Sequence, residues 1–195
     1  MKLDYTFPQK TTDCQNYYFF KDGFSKDELT MIETEVANLP FHEASTAGGK
    51  SKEIRSSRIK WIPQNEQWQW LYEKLINMAT EANDTLWNFE LISAPEPVQY
   101  TEYLDVDEGH YDWHQDIGPD VLSLRKVSIT VQLSEDSDYE GGDLEFSKGG
   151  SGGIMAPRGA GTVVIFPSYL MHKVHKITKG TRKSFVLWVG GSHYK

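Results

Sequence analysis

Cysteine is almost missing from this sequence: Cys14 is the only one in 195 residues. That excludes an intramolecular disulfide and a thiolate metal cluster, and it predicts a reducing compartment. Long apolar runs are missing too. No stretch approaches the ~20 residues of a membrane span, and Met1-Lys2-Leu3-Asp4-Tyr5 has no apolar segment behind its lysine. A soluble, cytoplasmic protein without a membrane partner is therefore expected. Positive charge is in deficit, with 20 Lys and Arg against 28 Asp and Glu and a formal net charge of -8. In the absence of a basic stripe, affinity founded on phosphate neutralisation is excluded, and nucleic acid is not an expected partner. There is no internal repeat, no interdomain linker and no phosphate-cradling Gly-Lys-Ser/Thr loop. What the sequence has in quantity is aromatic surface, from 9 Phe, 6 Trp and 10 Tyr, enough for one domain over residues 1–195 to build a core without staples.

Helical signals are confined to the first half. Ser25-Lys26-Asp27-Glu28 has the form of a capping box, and Leu29, Ile32, Val36 and Leu39 then recur at intervals of three and four until Pro40. A second periodic stretch runs from about Trp68 to Ala82, with Asn83-Asp84 as its breaker. Both helices are expected to pack on a sheet. Between them, Ala44 to Ser57 has no period and reads as a mobile loop before a short strand at Ile59 to Ile62.

From Pro97 the pattern changes to short β-branched and aromatic runs. Candidate strands are Val98 to Leu104, Tyr111 to Asp116, Lys126 to Leu133, Asp143 to Phe146, Gly161 to Phe166, Met171 to Ile177 and Ser184 to Val189. Seven short strands without intervening helices predict a mainly β protein with flanking helices, built as a sandwich or jelly roll. Helical support falls in residues 1–95 and the β core in 96–191. Ser147 to Gly161, with six glycines in fifteen residues, reads as a flexible hairpin connection.

Chemistry concentrates in Tyr111-Asp112-Trp113-His114-Gln115-Asp116. On a strand, residues i and i+2 share a face, so His114 and Asp116 can present an imidazole and a carboxylate to one ion. His172, in a later strand, can supply a third ligand. Two histidines and one carboxylate on one side of an ion form the facial triad of non-heme Fe(II) oxygenases. If Met171 to Ile177 is extended, His172 and Val174 share one face and His175 takes the other, so only one of the two histidines can point inward. Ten residues beyond His172 lies Arg182, whose planar fork suits bidentate binding of a carboxylate.

Together, His114-x-Asp116, Gly141-Gly142-Asp143-Leu144, Phe166-Pro167-Ser168, Met171-His172-Lys173-Val174, Lys179-Gly180-Thr181-Arg182 and Trp188 resemble the Fe(II)- and 2-oxoglutarate-dependent dioxygenases. Within them the pattern is similar to the prolyl hydroxylase group, including the bacterial PKHD-type hydroxylases, over about Val98 to Gly191. The resemblance implies a double-stranded β-helix, with Fe(II), 2-oxoglutarate and O2 as cofactor and cosubstrates and ascorbate as an auxiliary reductant. It implies His114, Asp116 and His172 as iron ligands and Arg182 as the partner of the far carboxylate of 2-oxoglutarate. It implies Tyr103 as a further cosubstrate contact, and Trp188 and Tyr111 beside the substrate. Thr130, on one face of a central strand with Gln132, is a further candidate contact to the cosubstrate.

The implied reaction is hydroxylation of a C–H bond, with a prolyl residue in a peptide or protein as the first expectation. Hydroxylation of a free amino acid or other small metabolite is the alternative, and a non-catalytic jelly-roll binding module ranks third. Nucleic-acid demethylases of the same superfamily carry a second arginine where this sequence has Trp188. His42, His110, His175 and His193 read as solvated or structural, the Trp61, Trp68, Trp70 and Trp87 cluster as core, and Glu135 to Glu140 as a solvated acidic loop.

Overall fold

The computed structural model describes residues 15–44, 52–150 and 152–193; Cys14, Ser151 and residues 45–51 of the expected loop lie outside them. The first half contributes β1 (Tyr18–Phe20), α1 (Lys26–Val36), β2 (His42–Glu43), β3 (Arg55–Ser56), β4 (Arg58–Ile62), α2 (Gln69–Leu86) and β5 (Leu91–Ser93). The second half is nearly all strand: β6 (Val98–Leu104), β7 (His110–His114), β8 (Arg125–Gln132), β9 (Tyr139–Gly141), β10 (Leu144–Ser147), β11 (Gly153–Met155), β12 (Val163–Pro167), β13 (His172–Val174) and β14 (Ile177–Gly191).

The capping box forms as the sequence reads: Ser25 N–H donates to Glu28 Oε2 at 2.7 Å and Glu28 N–H to Ser25 Oγ at 3.3 Å. Leu29, Ile32 and Val36 of α1 are buried, as are Leu71, Leu75, Ala79 and Ala82 of α2. Asn83 does not end α2. Its buried side chain turns back to Phe89, donating to the carbonyl at 3.0 Å and accepting from the N–H at 2.8 Å, so the helix runs on to Leu86. Polarity alone marks a breaker there, and a hydrogen-bond pair to the residue six positions on overrides it.

Two antiparallel sheets face each other as a jelly roll. The larger has the order β1-β12-β8-β14-β6-β4-β2, with β5 and β9 also on β14; the smaller has the order β11-β10-β13-β7-β3. One face of the large sheet, with Val127, Ile129, Val131, Phe185 and Leu187, packs on the helices. The alternate residues face the small sheet and enclose the site.

Several elements differ from the sequence reading. Arg55–Ser56, inside the expected loop, is a strand because it adds to the free edge of β7. The expected strand through Asp116 stops at His114. The two last expected strands are cut differently, since His175 and Lys176 leave the ladder and β14 then runs unbroken for 15 residues. The acidic segment is anchored, not merely solvated: Tyr139 is buried and pairs in β9, and Arg158 binds Asp136 and Asp143 while lying over the Tyr139 ring. Trp68 joins the helix core, with Trp70 and Trp87 packed against it, but Trp61 faces the other side of its sheet.

Glu28 ties the cap to its neighbour helix, because Lys74 of α2 donates to Glu28 Oε1 at 2.6 Å. Burial pushes the Glu28 carboxyl up, but the Lys74 and Ser25 hydrogen bonds outweigh it and hold the group below its ordinary range. A folded pKa below the unfolded one means stability that is present above the unfolded pKa and lost as pH falls through the folded value. Glu28→Gln is expected to cost about 1 kcal/mol at pH 7. In urea melts the gap between wild type and variant should close as pH falls below 4; a gap independent of pH would mean that the carboxylate charge is not what stabilises the contact.

Candidate metal centre

β7 and β13 are neighbours with His114 opposite His172, and both imidazoles are oriented by the same local device. Each Nδ1–H donates to the carbonyl two residues earlier, His114 to Asp112 at 2.7 Å and His172 to Leu170 at 2.8 Å. A carbonyl can only accept, so the proton is fixed on Nδ1 and Nε2 is left bare. The bare nitrogens face Asp116: Nε2 of His114 lies 3.7 Å from Oδ1, and Nε2 of His172 lies 3.7 Å from Oδ2. Ligand atoms of the three residues all lie within 4.8 Å of one another.

Asp116 stands two residues past the end of β7, and contacts outside that strand place it. Its N–H donates to the Ser168 carbonyl at 2.9 Å, its carbonyl accepts from Arg125 Nη1 at 3.0 Å, and its Oδ2 accepts from Ser128 Oγ at 2.6 Å. Arg125 is held in turn by Glu96 through two contacts of 2.5 and 2.6 Å, and it lies 3.8 Å from the Trp188 ring centroid.

The electrostatics suit a cation. Burial, reinforced by the neighbouring His172, pushes the His114 imidazole down to about 3, so it is neutral with its lone pair available. Burial alone would raise the Asp116 carboxyl, but His172, His114, Ser128 and Arg125 outweigh it and hold the group below its usual range. A neutral imidazole beside an ionised carboxylate is the protonation state that a divalent metal requires of such ligands. Two nitrogens and one oxygen on one side of an ion fit Fe(II) with open positions.

Beside the triad is a recess whose walls include Tyr103, Thr130, Arg182 and Trp188. Arg182 is 2% exposed. Its guanidinium meets Ser184 Oγ at 3.3 Å and lies 5.4 Å from the Tyr103 ring centroid. Of the five arginines in the sequence, Arg58, Arg125 and Arg158 pair with carboxylates. Among the described residues Arg182 has no such partner. A buried cation without a counter-ion is costly unless an anion comes to it, so a recess that reaches Arg182 suits a dicarboxylate such as 2-oxoglutarate.

The structure brings His114, Asp116, His172, Arg182, Tyr103, Tyr111, Thr130 and Trp188 to this recess. Tyr111 stacks on His114 with ring centroids 3.4 Å apart. Gln132 is buried but does not line the recess. His175 is directed away, bonding Glu145 Oε2 at 2.6 Å. Sequence reasoning missed Gln99, Thr101 and Ser184, which period-two counting from Tyr103 and Arg182 would have placed on the same face. It also missed Ser128, Arg125 and Arg55, whose roles depend on contacts between strands far apart in sequence.

Residues 98–190 match the model of the 2OG-Fe(II) oxygenase superfamily. A PKHD-type hydroxylase of Alteromonas mediterranea is 30% identical over 176 residues, covering 86% of this chain and 75% of the relative. Among solved structures, a Trichoplax adhaerens prolyl hydroxylase in complex with a hypoxia inducible factor oxygen degradation domain peptide fragment has a TM-score of 0.76 at 17% identity, covering 91% of this chain and 84% of that one. A Pseudomonas putida prolyl-4-hydroxylase has a TM-score of 0.70 at 18% identity, covering 92% and 94%.

The geometry separates the two candidate third histidines. Removing a group that only orients a ligand typically costs about 10–100-fold in metal affinity, and removing a ligand costs more. His172→Ala is expected to weaken Fe(II) or Ni(II) binding by at least about 100-fold, whereas His175→Ala should leave it near wild type. Anaerobic metal titration measures both, and the reverse order would overturn the assignment.

Proposed function

The chain belongs to the 2OG-Fe(II) oxygenase superfamily and its PKHD-type hydroxylase group, and from that premise we propose that it hydroxylates a prolyl residue in a peptide or protein. It is a 2-oxoglutarate-dependent dioxygenase that uses Fe(II) and 2-oxoglutarate. When bound, that pair would let O2 oxidise a C–H bond to an alcohol, one oxygen atom entering the product and the other the succinate formed from 2-oxoglutarate with loss of CO2. In our reading His114, Asp116 and His172 hold the iron, and Arg182 grips the far carboxylate of 2-oxoglutarate with Tyr103 and Thr130 beside it.

The observation that carries the substrate reading is a second recess, which shares Arg55, Gln99, Tyr111, Asp116 and Trp188 with the first. Its other walls include Ile59, Trp61, Ile117 and Leu122. Gln115 and Arg125 complete the lining, and its aromatic and aliphatic part, beside a metal ligand, suits a compact apolar ring such as that of proline, which presents C–H bonds and no polar side chain. The protein's own contribution is positional. Trp188, fixed under Arg125, and Tyr111, stacked on His114, limit where the ring can lie and exclude water around the triad. The relatives named as prolyl hydroxylases make proline peptides the first substrates to try.

Incubation of proline-containing peptides with the enzyme, Fe(II) and 2-oxoglutarate should yield succinate and a peptide heavier by one oxygen in mass spectrometry. If free proline or another small metabolite turns over well while no peptide does, the small-molecule reading replaces this one.

Arg182 gives a separate test. Breaking a buried charge pair typically costs about 2–5 kcal/mol, so Arg182→Leu should raise the KM for 2-oxoglutarate roughly thirty-fold to several thousand-fold. Because Arg182 has no carboxylate partner of its own, the variant free of cosubstrate should melt no lower than wild type, and 2-oxoglutarate should no longer raise its Tm. An unchanged KM would mean that the cosubstrate is anchored elsewhere.

A further inference from the structure

We propose that Arg55 is a specificity-determining residue that binds a carboxylate of the substrate, so that the molecule hydroxylated carries a negative charge close to the oxidised C–H bond. This rests on the hydroxylase reading above and narrows its substrate class.

The placement comes from β3. Arg55 pairs with Tyr111 across the edge of β7, which brings its guanidinium to 4.7 Å from the centroid of the Tyr111 ring, the ring that also stacks on His114. Arg55 lines both recesses, and Asp116 is the one carboxylate that the described residues contribute to their walls.

The guanidinium is held but not neutralised. Nε donates to Ser57 Oγ at 3.0 Å and Nη2 to Gln99 Oε1 at 2.7 Å, which uses two of the five N–H donors that an arginine offers. Both acceptors are uncharged. Arg55 and Arg182 are the two arginines without a carboxylate partner among the described residues, and both line the recess at the triad. A rigid guanidinium with free donors, set by neutral partners and stacked on an aromatic ring, is preorganised for a bidentate carboxylate.

Charge balance points the same way. A divalent ion, Arg182 and Arg55 against Asp116 leave three positive charges. The two carboxylates of 2-oxoglutarate compensate two of them. One remains, and it lies on the substrate side of the triad, beside Trp61 and Trp188 in the second recess. One carboxylate on the substrate compensates it. That group is either an α-carboxylate, on a free amino acid or a C-terminal residue, or the side chain of an Asp or Glu adjacent to the hydroxylated residue.

Matched pairs that differ only in this charge test the idea. Suitable pairs are L-proline and L-prolinamide, a proline-ended peptide as free acid and as amide, an internal Glu-Pro peptide and its Gln-Pro counterpart, and a few non-prolyl amino acids with their amides. Substrate-dependent succinate formation gives KM and kcat for wild type, Arg55→Gln and Arg55→Lys. Binding is followed independently through quenching of tryptophan fluorescence, since Trp61 and Trp188 line the recess.

Wild type should prefer the acid of its pair by about tenfold or more in kcat/KM. Arg55→Gln should bring that ratio close to one, mainly through a higher KM for the acid and weaker quenching by it, and Arg55→Lys should restore part of the preference. Because the ratio is taken within each variant, iron loading cancels. The internal pair and the terminal pairs tell the two carboxylate sources apart.

Equal turnover of acid and amide by wild type overturns the proposal while leaving the prolyl reading intact. A charge preference confined to non-prolyl compounds supports Arg55 and overturns the prolyl reading. A KM for 2-oxoglutarate that rises in Arg55→Gln while the acid preference persists would assign the residue to the cosubstrate and sink the proposal. Failure of every compound to stimulate turnover counts against both readings.

Discussion

The site depends on one strand being hydrogen-bonded along both edges. β14 pairs with β6 on one side and β8 on the other, with Arg182 opposite Tyr103, Ser184 between Thr101 and Gln132, and Trp188 opposite Ser128. Side chains on a strand alternate with period two, so this double register decides together which residues of three strands face the helices and which face the triad. A slip of one residue would turn Phe185 and Leu187 into the recess and Arg182 into the apolar core. Burying Phe185 and Leu187 stabilises the correct register by roughly 1.5–3 kcal/mol each, and Arg182 is carried to its place by that packing. The apolar face thus fixes the position of Arg182 in the recess as a consequence of folding.

Charge is distributed with equal economy. The chain carries a net charge of -8, yet the walls of its two recesses have Arg55 and Arg182 against the single carboxylate of Asp116 among the described residues. Anionic ligands are drawn inward against an acidic exterior, and within the pocket the low dielectric makes each remaining positive charge count more than it would at the surface. Arg125 shows the contrast. Neutralised by Glu96, it serves as a rigid plate under Trp188 and a donor to the Asp116 carbonyl, and it is not available to hold an anion.

Legibility in the sequence followed the range of the interactions. The cap of α1, the apolar faces of both helices and most of the long strands depend on neighbours a few residues away and could be read directly. So could His114 and Asp116, because spacing alone brings them together, although Asp116 is placed by Ser168, Ser128 and Arg125 and not by the strand it was assigned to. What escaped depends on partners that a periodic pattern does not show. Asn83 reads as a breaker until Phe89, six residues on, satisfies its side chain, and Arg55 reads as part of a loop until the distant free edge of β7 makes it a strand. The short strands β1, β9 and β11 carry too few residues for a period to show, and they exist because β12, β14 and β10 offer them an edge.

The Gly141-Gly142 pair closes over the stem of Arg182. Gly142 has φ of 65°, a region that side chains rarely adopt, and a Cβ there would collide with Ile177 Cδ1 and press within 3.1 Å of Arg182 Cδ. Gly141, at φ 76°, is equally confined against the Lys176 carbonyl. The chain therefore turns through a gap that only glycine passes, directly over the stem of Arg182. Asp143 then holds Arg158, whose guanidinium covers the ring of Tyr139. The cover over the stem of Arg182 is glycine backbone beside the Tyr139 ring. It brings no carboxylate to the buried arginine, and that leaves its charge for a ligand to compensate.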